Sequence, residues 1–305
     1  MTFNEGANLD PSRVRRRSRG ATTGIAAGGV GIGAIVVVLV SAFFGVDLTG
    51  ILGGLGIGGV GGTGQVAPGD EAVLTNCSTG ADANANAECR IVGAENSLTA
   101  FWTDVEGGAF QPPGVLIFDD ATPTACGTGT TEMGPFYCPP DQTIYIDLTF
   151  YDELRTQFGT NGGPLAEMYI LAHEYGHHIQ NTSGIMDGLD LQDTGAASDS
   201  VRLELQADCL AGSWVAAAAN TKDASGTAFL KTPTREELTQ ALDAAAAVGD
   251  DHIQATLGGG TVNPETWTHG SSAERAGWFS IGYDEGWRSC QTFGITAEEL
   301  ADPRS

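Results

Sequence analysis

The sequence is short of basic residues. Lysine and arginine together number 14 in 305 residues, against 38 aspartates and glutamates, which gives a formal net charge of −24. Nucleic acid and anionic lipid carry fixed negative charge, so a surface with such an excess of carboxylates repels both. The shortage therefore argues against a nucleic-acid-binding protein and makes acidic substrates poor partners, while the ordinary effect of the acidity is solubility.

Charge of either sign is missing from Gly20 to Val46, a stretch that includes the apolar run "IAAGGVGIGAIVVVLVSAFF". A bilayer-spanning helix needs about 20 such residues, so the run predicts a transmembrane helix over residues 21–44. The five arginines before it predict, by the positive-inside rule, a basic cytoplasmic tail over residues 1–20 and an extracytoplasmic remainder at the cell membrane. A cleaved signal peptide is the alternative, although its apolar core is usually shorter.

Two GxxxG spacings in this run, Gly24–Gly28 and Gly29–Gly33, would allow a homodimer of such helices. The signal is weak because the whole segment is rich in glycine. The glycine-rich stretch that follows predicts a flexible linker over residues 45–70. Beyond it we expect one extracytoplasmic domain over residues 71–300.

The six cysteines contain no Cys-x-x-Cys pair, which disfavours a zinc site built from thiolates. An even number of cysteines in an exported domain predicts three disulfides, but sequence alone leaves their connectivity open. We expect two local pairs and one long-range pair, namely Cys77–Cys89, Cys126–Cys138 and Cys209–Cys290.

Strand signals precede most helix signals along this domain. Runs of β-branched and aromatic residues predict strands at 114–118 and 143–148. Capping patterns and Pro164 predict four long helices further on. Since strand and helix do not alternate, the order favours an α+β fold, with a small N-terminal sheet followed by a helical subdomain.

Histidine is scarce, with five in the chain, yet three of them fall within the six residues "HEYGHH". His173 and His177 are four residues apart and therefore lie on one face of the helix that begins at Pro164. Two imidazoles one turn apart can bind one metal ion. Glu174, about 100° further round the helix, can reach a water at that metal. His178 points away, and we expect it to be structural.

Such a motif can arise by chance, so a third ligand decides its meaning. The next predicted helix carries "RLELQADCLAGSW", in which Glu204 and Asp208 are again four residues apart. Glu204 completes a His2Glu set that leaves a fourth position open, as catalytic zinc requires. Asp208 can accept a hydrogen bond from a ligand imidazole and fix its tautomer. The alternative is an ordinary acid on an exposed helix face.

These motifs, together with "IYIDLTFYDEL", "GDDHIQ" and "THGSSAERAGWFSIGYDEG", resemble the bacterial putative neutral zinc metallopeptidase family over roughly residues 70–300. HExxH followed by ExxxD is similar to the gluzincin arrangement. The resemblance implies a zincin-like fold and one catalytic Zn²⁺ ion held by His173, His177 and Glu204. It also implies hydrolysis of a protein or peptide by a zinc-activated water with Glu174 as general base. For zincins in general, the strand at 143–148 would form the edge of the substrate cleft.

Two further residues are candidates to stabilise the oxyanion of such a reaction. His269 directly precedes a capped helix, where an imidazole can be held firmly, although a simple polar contact at the cap is the alternative. Arg275, one turn into that helix, is the second candidate. For Asp250, Asp251 and His252 we expect a capping turn rather than a second metal site.

Two other classes of function remain open. In a zinc-stabilised binding module the metal would only hold the fold, and Glu174 would be dispensable. In an envelope assembly factor the glycine-rich anchor and the acidic face would be the working parts. Removing residues 1–64 would then abolish function while substitutions at the zinc site would not.

Overall fold

The structure, a computed structural model, describes residues 1–18, 70–108, 110–257 and 262–304. It has a small sheet and several helices, so the predicted α+β class is confirmed. Most of the helices follow the strands in the chain, as predicted. Two helices depart from this order, because they lie between the second and third strands.

The strands of the described residues are β1 Val14–Arg17, β2 Glu71–Val73, β3 Gly114–Phe118, β4 Ala121–Thr124, β5 Gly127–Thr130, β6 Phe136–Cys138 and β7 Thr143–Asp147. Five of them form one sheet in the order β2-β1-β3-β7-β6. β3 is parallel to β1 and β7, whereas β2 and β6 pair antiparallel at the two edges. β4 and β5 form a separate antiparallel hairpin.

The strand at 143–148, predicted to form the edge of the substrate cleft, is an interior strand of the sheet. β7 lies between β3 and β6, and β3 and β7 each bury four of their five residues. Nearly continuous apolar runs of this kind suit strands that are covered on both faces. The edge on this side of the sheet is β6, which is only three residues long.

The helices of the described residues are α1 Gly80–Ala85, α2 Ala87–Glu106, α3 Phe150–Gln157, α4 Pro164–Thr182, α5 Asp199–Ala217, α6 Arg235–Ala247, α7 Asp250–Leu257, α8 Ser272–Glu285 and α9 Ala297–Ala301. Their starts follow the sequence signals. Pro164 is the first residue of α4, Ser198 caps α5, and Thr234 and Ser271 form capping boxes at α6 and α8.

Small residues bring α4, α5 and α8 into close contact. A Cβ atom added at Gly176 of α4 would lie 2.9 Å from the Cα of Ala207 on α5. One added at Gly282 of α8 would lie 1.8 Å from the carbonyl oxygen of Cys209. A larger residue at either position would push the helices apart. Gly176 therefore sets the spacing of α4 and α5, which carry the predicted metal ligands, and Gly282 sets the spacing of α5 and α8.

Residues 1–18 form part of this fold, which corrects the prediction of a separate basic tail over residues 1–20. β1 is an interior strand of the sheet, and Val14 is fully buried. The ring of Phe3 lies where a Cβ on Gly93 of α2 would be, 2.4 Å from its Cε1. The arginines of the predicted tail face acids of the domain, since Arg16 pairs with Asp119 at 2.7 Å.

The predicted topology, with residues 1–20 and the domain on opposite sides of a membrane, would require β1 to leave the sheet. The predicted span at 21–44 and all but the last residue of the predicted linker at 45–70 lie outside the described residues. Among the residues that are described, no helix is long and apolar enough to cross a membrane. The membrane anchor, the cellular location and the homodimer stay predictions.

All three expected disulfides are confirmed. Cys77–Cys89, Cys126–Cys138 and Cys209–Cys290 have S–S distances of 2.01, 2.13 and 2.10 Å. The second ties the β4–β5 hairpin to the edge strand β6. The third ties α5 to the segment that follows α8.

Candidate metal centre

The three predicted ligands come together between α4 and α5. The ligand atoms of His173, His177 and Glu204 all lie within 4.8 Å of one another, and all three side chains are buried. The Glu204 carboxylate lies 3.1 Å from His173 Nε2 and 3.3 Å from His177 Nε2. Donor atoms around a tetrahedral zinc ion, each about 2.0–2.1 Å from the metal, lie roughly 3.3 Å apart. The donor set therefore fits zinc in both chemistry and spacing.

The other ring nitrogen of each histidine has its own partner. His173 Nδ1 lies 2.8 Å from Asp208 Oδ1, and His177 Nδ1 lies 2.9 Å from Gln180 Oε1. Both partners accept a hydrogen bond from Nδ1–H, which leaves Nε2 of each ring to face Glu204. The contact with Asp208 is the one expected from the sequence. The contact of His177 with Gln180 was not predicted, although Gln180 lies three residues after His177 on the same helix face.

Gln180 is held in turn by neighbouring groups. Its amide nitrogen donates to the carbonyl of Leu203 at 2.7 Å and to Gln206 Oε1 at 3.1 Å. Gln206 donates to the carbonyl of Cys290 at 2.9 Å. A chain of hydrogen bonds thus joins His177 to the backbone of Cys290 in the Cys209–Cys290 disulfide. Because the amide nitrogen of Gln180 donates to Leu203 and Gln206, its oxygen is the atom that faces the imidazole.

Arg275 supports the metal centre from behind. Its Nε and Nη2 donate to the two oxygens of Asp208 at 2.8 and 3.1 Å, and its Nη1 donates to the carbonyl of Val248. Burial disfavours the charged form of Asp208, but Arg275 and His173 bring the net pKa of that carboxyl below its usual value. Because its nitrogens are already engaged, Arg275 is better placed to hold Asp208 than to bind an oxyanion.

Glu174 faces the same cleft but has no hydrogen bond to its Oε2 from any described residue. Its side chain is buried, with 6% of the residue exposed. Burial raises the pKa of this carboxyl above its ordinary value. A buried carboxyl group with a raised pKa and an oxygen that has no partner among the described residues has the properties of a general base.

His269 also lines the cleft, and a residue without a predicted catalytic role orients it. Asp250 Oδ2 accepts the backbone N–H groups of Thr268, His269 and Gly270 at 2.8, 2.6 and 3.0 Å. Asp250 Oδ1 lies 3.4 Å from His269 Nδ1, so Nε2 is the ring nitrogen without a partner among the described residues. Burial lowers the pKa of His269, while Asp250 and Glu204 raise it above its usual value.

The expectation of a capping turn at residues 250–252 is met in part. Asp251 Oδ1 accepts the backbone N–H of Ser272 at 2.7 Å, at the start of α8. The ring of His252 lies 6.4 Å from that of Phe158, centroid to centroid, and no second metal group occurs in the described ranges. His178 is buried and structural, with Nε2 at 2.7 Å from the Gln111 carbonyl and Nδ1 at 3.0 Å from the Tyr137 hydroxyl.

Two pockets meet at the metal centre and share Met133, His177 and Glu204. The first, which we call the apolar pocket, lies between the β4–β5 hairpin and α5. Its larger apolar side chains are Met133, Phe136, Tyr137, Met186, Leu191 and Leu203. The second, which we call the acidic pocket, contains Glu174 and His269. The remainder of its wall includes Glu132, Phe150, Glu153, Phe158, Ile170 and Ile253.

The family model described as "Putative neutral zinc metallopeptidase" matches residues 2–293 of the chain. An uncharacterized protein of Mycobacterium tuberculosis is 47% identical over 231 residues, which cover 75% of this chain and 78% of that protein. The uncharacterized protein YpfJ of Escherichia coli is 36% identical over 266 residues, 85% of each chain. No solved structure matches, so the zincin-like character of the fold stays a prediction.

Proposed function

Because the chain belongs to the family of putative neutral zinc metallopeptidases, we propose that it hydrolyses peptide bonds at a zinc centre formed by His173, His177 and Glu204. The observation that carries the proposal is the buried, unpartnered carboxylate oxygen of Glu174 in the cleft that contains this group. Burying a carboxylate oxygen without a hydrogen-bond partner costs free energy. A structural metal site has no need of such a group, whereas a catalytic site does.

Each polar residue of the cleft has a distinct part in this proposal. When bound, zinc supplies Lewis acidity to water and to the peptide carbonyl. Glu174 accepts the proton of the attacking water and returns it to the leaving amine. His269, held by Asp250, which with Glu204 raises its pKa and so favours the protonated ring, donates a hydrogen bond from Nε2 to the oxyanion as charge develops there. Arg275 keeps Asp208, and through it the ring of His173, in place.

A zinc-stabilised binding module is the second candidate function, and the number of ligands disfavours it. Structural zinc sites normally use four protein ligands, whereas the group found among the described residues has three. The cleft beside them gives a fourth position to water or substrate. A non-catalytic binding module would also have no need of Glu174 or of the Asp250–His269 pair.

The three disulfides bear on where such an enzyme would work. Disulfides form and persist in oxidising compartments and are rare in the cytosol. We propose on this ground that the peptidase acts outside the cytoplasm, on protein or peptide substrates.

The proposal is tested by measuring the zinc content of the purified full-length chain and its action on a mixture of unstructured peptides. We expect about one zinc ion per chain and new peptide ends in the mass spectrum. Zinc without any cleavage would favour the binding module. A protein that neither retains nor takes up zinc would refute the metal centre itself.

Replacing His269 with alanine is expected to lower kcat about 10²-fold and to change KM little, because the lost contact is made to the developing oxyanion. Glutamine at 269 keeps an N–H donor and should recover part of the lost rate. Zinc content, measured alongside, should equal that of the wild type. A zinc content that falls in step with kcat would show instead that His269 supports the metal centre.

A further inference from the structure

The acidic pocket has two glutamates whose charges are not neutralised. Glu132 lies in the turn before β6 and Glu153 lies on α3, and neither forms a salt bridge with any described residue. Burial raises the pKa of Glu153, and the charges of Glu132 and Asp147 raise it further. Carboxylates that repel each other across a pocket are stabilised by a cation placed between them.

The arginines near this pocket cannot supply that cation. Arg155 of α3 pairs with Asp152, and Arg275 is bound to Asp208. A second feature of the pocket, separate from Glu132 and Glu153, points to a ligand. Glu174, whose Oε2 is buried and has no partner among the described residues, lines the same pocket, so a polypeptide bound at Glu174 occupies the pocket that Glu132 and Glu153 also line.

The pocket on the other side of the metal centre has the opposite character. Apart from Glu204 and His177 at its inner end, the apolar pocket is lined by uncharged side chains. The β4–β5 hairpin closes it, and the Cys126–Cys138 disulfide fixes the hairpin to β6. A Cβ added at Gly129 would lie 2.6 Å from the ring of Phe136, so hairpin and strand are in close contact. A pocket with a mostly apolar lining of this kind takes an apolar side chain.

We propose that the cleft selects extended protein segments with an apolar side chain on one side of the cleaved bond and a lysine or arginine on the other. The apolar side chain enters the apolar pocket, and the basic side chain pairs with Glu132 and Glu153. The net charge of −24 adds a long-range attraction for such cationic segments. This proposal of substrate class rests on the proposed peptidase function.

The test compares cleavage of paired peptides that differ only by lysine or glutamine beside an apolar residue at the scissile bond. For the wild type, kcat/KM should favour the lysine peptide. In the Glu132→Gln, Glu153→Gln double variant the lysine-to-glutamine ratio should fall about tenfold. The matched control is Glu236→Gln, an exposed glutamate on α6 outside the cleft, which should keep the wild-type ratio. The preference should also weaken at high salt, because salt screens the charges.

A second variant tests the apolar pocket. Met186→Trp puts a larger side chain at its wall, and we expect kcat/KM for peptides with phenylalanine or leucine at the scissile bond to fall about tenfold relative to alanine peptides. Zinc content of the variant serves as the check on folding. An unchanged ratio of phenylalanine to alanine cleavage would show that the apolar pocket does not bind the substrate side chain.

A binding measurement separates failure of this proposal from failure of the peptidase function. The zinc-loaded Glu174→Gln protein is titrated with fluorescent lysine and glutamine peptides, with and without the double substitution at Glu132 and Glu153. If the wild type cleaves nothing but the lysine peptide binds more tightly through these two glutamates, the peptidase function fails and the selectivity stands. If the wild type and the double variant cleave with the same residue preference, the selectivity is overturned and the peptidase stands.

Discussion

Glutamine in place of Glu174 is expected to reduce kcat for peptide hydrolysis by about 10²–10⁴-fold, because the amide cannot accept the proton of the attacking water. Glutamine has the shape of glutamate and removes a charge that is buried and has no hydrogen bond to Oε2. Folding should therefore tolerate the change. Zinc content should stay at the wild-type level, since the three ligands and their partners are untouched.

Initial rates and metal content of the same samples measure this result. Chelation of zinc should stop cleavage by the wild type, and added zinc should restore it, whereas added zinc should not restore the Glu174→Gln protein. Glu298→Gln, at an exposed glutamate of α9, is the matched control and should match the wild type throughout. A Glu174→Gln protein that retains more than about a tenth of the wild-type rate would contradict the role of general base.

Asparagine in place of Asp208 should weaken zinc binding about 10- to 100-fold and lower the free energy of unfolding by about 3–5 kcal/mol. The two effects have different causes. Zinc binding weakens because His173 Nδ1 loses the carboxylate that fixes its tautomer. Stability falls because Arg275, of which 3% is exposed, loses its close ion pair and keeps only the longer contact with Glu204 at 3.8 Å.

Unfolding of the metal-free protein in urea and competition with a chelator measure the two effects separately. The double variant Asp208→Asn, Arg275→Met removes both buried charges, so it should regain much of the lost stability while zinc binding stays weak. Zinc binding that recovers together with stability would mean that Asp208 acts through folding alone. The contact between Asp208 and His173 would then contribute nothing of its own to the metal centre.

The metal centre could be predicted from the sequence because its spacing is local. Residues four apart on a helix share a face whatever the helix packs against, which places His173 with His177 and Glu204 with Asp208. The role of Arg275 could not be predicted in this way. Arg275 lies one turn into α8, as expected. Only the packing of α8 on α5 shows that its guanidinium donates hydrogen bonds to Asp208.

Asp250 shows a second limit of local patterns. It lies 19 residues before His269 and meets it only because α7 starts beside the turn that precedes α8. The aspartate therefore looks like an ordinary first-turn acid in the sequence. Gln180, by contrast, lies three residues after His177, so its contact was within reach of the same helix rule that placed the histidines.

The prediction of a separate tail was wrong for residues 1–18 for a related reason. A cluster of arginines next to a long apolar run is a strong local signal for a membrane tail. A strand of four residues, three of them arginine, gives almost no alternating pattern of its own. Its place between β2 and β3 depends on partners that lie about 55 to 100 residues further along the chain.

This position of β1 has a consequence for the order in which the protein can fold. Residues 3 and 4 are held by segments made much later, since Phe3 bridges to Leu230 and the N–H of Asn4 donates to the carbonyl of Phe229 at 2.9 Å. Contacts so distant in sequence form slowly and only after the intervening chain exists. During synthesis Phe3 and Asn4 must therefore wait for these partners until residues beyond the metal ligands have been made, although β1 can pair with β2 and β3 before that. The packing of these two residues against the rest of the fold is thus completed only after residues 229 and 230 have been made.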